Sequence, residues 1–127
     1  MDPVTTAIVA AIAAGVGKVA EKAIVNAYDG LKAILKRKFG EESNVVKTVK
    51  ELEADPESIG RKTTLQEKVS DAKADQDPEI LKAAQALLDQ IKAHPGGEQH
   101  IQTAIGSYIA QADQGGTATV KVNQPKE

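Results

Sequence analysis

No charged residue lies between Asp2 and Lys18. The run from Pro3 to Gly17 is too apolar for a solvated surface helix, yet shorter than the roughly 18–20 apolar residues of a spanning one. Asp2 is the only early charge, so the run also lacks the positive leader of a signal peptide. The chain is therefore expected to be soluble, with an unusually apolar first helix. That helix has two readings. It is a central core helix buried by the others, or it is a helix that leaves the domain and enters a membrane through Ile8, Val9, Ile12 and Val16. For the second reading, small residues at four-residue spacing, Ala10 with Ala14, Ala11 with Gly15 and Ala13 with Gly17, allow close helix approach.

Only three aromatic residues, Tyr28, Phe39 and Tyr108, occur in 127. The core must be built from Ala, Val, Ile and Leu, which favours packed helices over a sandwich. Asp2-Pro3 has the form of an N-cap followed by proline at the first helical position. A helix from about Pro3 to about Phe39 is predicted, stopped by Gly40, with Gly15 and Gly17 weakening its middle. Its second half carries a stripe of Ala20, Ala23, Ile24, Ala27, Leu31, Ile34 and Leu35. A second helix is predicted from Ser43 or Asn44, facing Val45, Val46, Val49 and Leu52 inward. Asp55-Pro56-Glu57 and Asp77-Pro78-Glu79 are read as the starts of a third and a fourth. The third carries Ile59, Leu65, Val69 and Ala72. The fourth carries Ile80, Leu81, Ala84, Leu87, Leu88 and Ile91, and His94-Pro95-Gly96-Gly97 ends it. The expected fold class is all-α, a four-helix bundle over residues 1–94. A linker or short fifth helix follows over 95–108, with Ile101, Ala104, Ile105, Tyr108 and Ile109 at helical spacing. Residues 109–127 form a β-prone tail.

Charge and residue chemistry exclude several functions. The net charge is −2, and bases have almost no aromatic surface on which to stack, so nucleic acid is not an expected partner. The chain has no cysteine and two histidines, His94 and His100, neither with nucleophile or metal-ligand spacing. No catalytic residue, metal or cofactor is expected, and the protein is not read as an enzyme. The charge is nevertheless uneven: residues 1–40 carry six bases against three acids. Lys32, Lys36, Arg37 and Lys38 suit anionic lipid headgroups; taken alone, the cluster is better read as complementing the dipole at a helix C-terminus.

The tail is of another kind. Residues 109–122 contain no proline and two opposite charges, and end with Ala118, Val120 and Val122 on one face of a period-2 pattern. Three readings stand: a solvated C-terminus, an edge strand or hairpin turning at Gly115-Gly116, or a self-templating cross-β segment. In the last, Gln111 and Gln114 form amide ladders, Ala118, Val120 and Val122 a dry zipper, and Thr117 and Thr119 favour extended backbone.

Ile109-Ala110-Gln111-Ala112 followed by Gly115-Gly116-Thr117-Ala118-Thr119-Val120-Lys121-Val122 resembles a bacterial amyloid signalling sequence of the RHIM-like kind. Gln114-Gly115-Gly116 keeps the Gln-x-Gly frame of animal RHIM cores, but Asp113 and Gly115 stand where those have aliphatic residues. The helical part resembles the bacterial Bell domains that precede such motifs, through the uncharged start, Leu52-Glu53-Ala54-Asp55-Pro56-Glu57, and Ala74-Asp75-Gln76-Asp77-Pro78-Glu79-Ile80-Leu81. Bell domains are considered analogous to fungal HeLo domains and to the four-helix bundle of the animal necroptosis executioner. The resemblance implies a cell-death effector of bacterial antiviral immunity, cytoplasmic at rest. An NLR-like sensor with a matching motif templates the tail, the bundles self-assemble, and the first helix permeabilises the inner membrane at anionic lipids. The alternative functions are an adaptor that recruits a partner through the tail without touching lipid, and a plain structural helical protein.

Overall fold

A computed structural model describes residues 2–16, 21–102 and 104. Among the described residues the α-helices with both ends defined are α1 (Pro3–Ala13), α2 (Lys22–Phe39), α3 (Asn44–Ala54), α4 (Ile59–Asp71) and α5 (Pro78–Lys92), with a 3-10 turn at Ala74–Gln76 between the last two. Residues 97–102 are helical again. The chain is all-α over the described residues, none of which forms a strand. No helix among them is long and apolar enough to cross a membrane. The expected β-prone tail lies outside the described residues.

The start of α1 is the one its sequence dictates. Asp2 Oδ1 accepts the Thr5 backbone N–H at 2.8 Å, and Oδ2 accepts the Thr5 hydroxyl at 2.7 Å. Pro3 follows, where its missing N–H is no loss. The long first helix expected from Pro3 to Phe39 is in fact two. After Ala13 the Gly15 N–H donates to Ile12 O at 3.0 Å and the Val16 N–H to Ala11 O at 3.3 Å. This pair of bonds is a Schellman closure. It needs a residue in the left-handed region after the cap, and Gly15 has φ +94°. An L-residue there is strained by about 1–2 kcal/mol. Gly15→Ala is accordingly expected to lower unfolding free energy by that amount in urea titration, with an unchanged slope.

The remaining helices follow their apolar spacing with two corrections. In α2 the buried residues are Ile24, Tyr28, Leu31 and Leu35. Ala27 and Ile34 are only partly buried and pack against the core. Ala23, expected inside, is exposed, and Tyr28 takes the inward position instead. Gly40 ends α2 as expected. Ser43 caps α3, whose Val45, Val46, Val49 and Leu52 are all buried. The second correction concerns Asp55-Pro56-Glu57. Asp55 closes α3, its N–H directed at the Glu51 and Leu52 carbonyls, and Ser58 caps α4 by accepting the Arg61 N–H at 3.1 Å. Leu65 and Val69 are buried in α4, while Ile59 and Ala72 are half-buried. Asp77-Pro78 does open α5: Asp77 Oδ1 accepts the N–H groups of Glu79 and Ile80 at 2.9 and 3.2 Å.

Packing places α5 at the hub. Both α1 and α2 lean chiefly on α5, and α3 pairs mainly with α4. Beyond the turn at Pro95-Gly96, Ala104 joins the core and Ile101 packs on it.

Candidate functional site

The candidate membrane residues lie at the centre of the molecule. Every residue of α1 from Val4 to Ile12 is buried, the threonines included. Ile8 is 0%, Val9 2% and Ile12 7% exposed, and Val16, past the Gly15 closure, is partly buried against the same core. A helix this uniformly apolar has no face to offer water, so burial on all sides is its stable state in solution. Its C-terminal end is the less covered one. There a cavity of about 580 Å³ is bounded by Ile12, Val16, Glu53, Ile59, Lys62 and His100, among others.

Three of the four candidate headgroup residues are engaged from within. Lys32 Nζ pairs with Glu53 Oε2 at 2.7 Å and lies 5.2 Å from the centre of the Tyr28 ring, within cation–π range. The Tyr28 hydroxyl donates to the same Glu53 oxygen at 2.5 Å. Burial, followed by this bond to an anion, pushes the Tyr28 phenol far above its ordinary value, so it remains a donor. The cluster ties α2 to α3 and satisfies the buried Tyr28 phenol. Sequence spacing alone missed both Tyr28 and Glu53; the signal for Tyr28 was its position four residues after Ile24.

At the other end of α2, Arg37 bonds Glu79. Lys38 Nζ reaches Asp77 Oδ2 at 3.0 Å and Glu79 Oε1 at 3.2 Å. Basic residues in the last turn of one helix thus meet acids at the first turn of another, each also complementing its own helix dipole. Lys36 has no ion pair among the described residues. The hydrogen bond to Lys38 is the main cause holding the Asp77 and Glu79 carboxyls below the usual range, and bonding to Asp77 and then Glu79 raises Lys38.

The linkage has a definite sign. Carboxyls depressed in the folded state stabilise it above their unfolded pKa of about 4, and that contribution disappears as pH falls through the folded values. Lys38, raised on folding, contributes below its unfolded value of about 10.4 and stops as pH rises through its folded one. Removing the ammonium with Lys38→Met is expected to lower the urea midpoint at pH 7 and to flatten its decline below about pH 4. Parallel pH–midpoint curves for the two proteins would contradict this.

The assembly-motif residues Gln111, Gln114, Gly115, Gly116, Thr117, Ala118, Thr119, Val120 and Val122 lie outside the described residues. The described part defines a helical domain that hides its most apolar helix in its own core and neutralises most of its basic cluster internally. The Het-E N-terminal domain family model matches residues 1–127, and the chain belongs to that family. It is a HeLo-like cell-death domain family of fungal heterokaryon incompatibility. No curated protein and no solved structure matches the chain.

Proposed function

We propose that this chain is a cell-death effector in its resting form, and that release of α1 permeabilises a membrane. The observation that carries this reading is that the most apolar helix is also the most completely buried. Energetics make such a helix a safe device. Burying Val4, Ile8, Val9 and Ile12 is worth about 1.5–3 kcal/mol each, and an entire domain is stable by only about 5–15 kcal/mol. Spontaneous release is therefore nearly as rare as unfolding, and a trigger must offset a cost of that order. Transfer of the same side chains into a bilayer recovers the apolar part of it. Length sets the mode of entry: 11 residues make a helix of about 16 Å against a hydrocarbon core of about 30 Å. One α1 does not span a bilayer, so permeabilisation requires several copies, and clustering supplies them.

The tail provides the clustering in this reading. Cross-β stacking through Gln111, Gln114 and the Gly115–Val122 stretch is templated by an NLR-like sensor with a matching motif, as in bacterial immunity. The protein is then cytoplasmic until activated and acts at the inner membrane. No bond chemistry and no cofactor enter the scheme. A second reading, a non-membrane adaptor acting through the tail, draws support from one observation: Lys32, Arg37 and Lys38 are already paired with acids of the domain.

The absence of cysteine permits a clean test. A single engineered disulfide is placed between α1 and α5, at a pair of positions within bridging range of about 4.4–6.8 Å between Cα atoms. Assembled, oxidised protein is expected to leave dye inside anionic vesicles, and reduction to release it. Equal leakage with and without the bridge would remove α1 as the active element. No leakage in any assembly state would leave the adaptor.

A further inference from the structure

α5 covers two features at once. Its core face is the main support of α1, and α2 leans on it equally. The acids at its start, Asp77 and Glu79, hold Arg37 and Lys38 at the end of α2. We propose that the basic end of α2 is a docking site for an anionic bilayer surface that α5 masks, so that displacing α5 uncovers the apolar helix and the basic site together. The inference rests on the membrane role argued above and adds its regulation.

The geometry favours a latch over a permanent structural pair. Arg37 and Glu79 remain 60% and 47% exposed, against 28% and 24% for Lys38 and Asp77, so the Arg37 pair is the labile part of the latch. Exposed pairs are screened by salt and easily exchanged for another anion. Lys36, one residue before Arg37, lies on the same helical turn without an acid of its own among the described residues. Removing Asp77 and Glu79 from the neighbourhood leaves three consecutive cations at a helix C-terminus. A bilayer is the matching occupant because the same displacement uncovers α1, which needs an apolar phase. Nucleic acid fits poorly, since the chain offers only three aromatic residues for stacking. α5 is also the helix that runs into the tail-bearing end of the chain, so assembly of the tail acts on the latch through it.

The test uses the full chain carrying the α1–α5 disulfide, which separates docking from insertion. Asp77→Asn with Glu79→Gln removes the two negative charges while asparagine preserves the N-cap. Sedimentation with phosphatidylglycerol-containing vesicles is expected to show roughly ten- to thirtyfold tighter binding, from two freed cations, and loss of the gain at ~0.5 M salt. Vesicles of phosphatidylcholine alone gain nothing. Glu57→Gln with Glu67→Gln changes the net charge equally, at positions that do not pair with Arg37 or Lys38; a gain as large from that variant would overturn the proposal. So would a gain that survives added Arg37→Gln and Lys38→Gln, or one seen on duplex DNA and not on vesicles. If the gain is absent while the unbridged protein still leaks vesicles, the latch fails and the effector reading stands. The opposite pair of results separates them the other way.

Discussion

Truncating Ile8 to alanine is expected to lower the free energy of unfolding by about 2–5 kcal/mol. Ile8 is completely buried in the middle of α1, with Val4 and Ile12 one turn to either side and also in the core. The loss has two parts: the transfer free energy of the removed carbons, and the cavity left because the neighbours close in only partly. For a domain stable by about 5–15 kcal/mol, that is a large fraction, read as a lower urea midpoint at constant slope. The two parts act differently on function. The transfer part weakens burial in the core and burial in lipid alike, so it nearly cancels between resting and inserted states. The cavity part exists only in the core. Ile8→Ala is therefore expected to favour release by the cavity term, about 1–2 kcal/mol, or roughly tenfold in the released population. Leakage of anionic vesicles should begin at lower assembly concentrations although α1 has become less apolar. An unchanged urea midpoint would mean α1 is not part of the core in solution. A midpoint that falls while leakage weakens in proportion would mean that lipid burial, and not release, limits the activity.

Ile8, Val9 and Ile12 stood out in the sequence because nothing charged interrupts them, but the pattern did not say where they rest; packing places them in the core. Local grammar was legible where one signal dominated. Asp2-Pro3 and Asp77-Pro78 both cap helices. Asp55-Pro56 has the same form and does not: Asp55 closes α3, and Ser58, three residues on, supplies the side-chain cap of α4. Gly15 posed a similar choice: a glycine inside a helix costs about 1 kcal/mol and is often tolerated. Ending the helix there resets the phase of α2, so Tyr28 turns inward and Ala23 outward. The basic cluster was legible as a cluster, and its partners were not, since Glu79 lies 42 positions beyond Arg37. Pairings of that range follow from which helices α5 touches, not from spacing.

Gly97→Ala is expected to detach the helical segment that begins at residue 97 without unfolding the rest. A Cβ built on Gly97 falls 1.6 Å from the Ile91 carbonyl oxygen and 2.6 Å from its carbon. Both are backbone atoms in the last turns of α5, so no side chain can swing aside. The Gly97 N–H bonds His94 O at 2.9 Å and the His100 N–H bonds Gly96 O at 3.3 Å, which fixes this elbow tightly against α5. Something larger than a rotamer must move, and the cheaper choice is the segment that meets the core, among the described residues, through Ala104 and Ile101. Their burial is worth about 2–4 kcal/mol together, which gives the order of the expected destabilisation. Hydrogen exchange should accelerate across residues 97–104 while α1 and α3 keep their protection. The urea slope should fall slightly, because less surface is buried. Gly96→Ala is the comparison: Gly96 has φ +80° but nothing within 4 Å of a new Cβ. It should show a strain of about 1–2 kcal/mol and no detachment. The elbow is also the covalent route from the tail to α5. In the proposed mechanism, a detached segment dissipates the force or crowding of an assembled tail before it reaches the helix that covers α1. Gly97→Ala protein should then assemble through its tail as readily as the parent and leak vesicles less. Retained protection across 97–104 in this variant would mean that the end of α5 yields instead, and that the elbow transmits nothing.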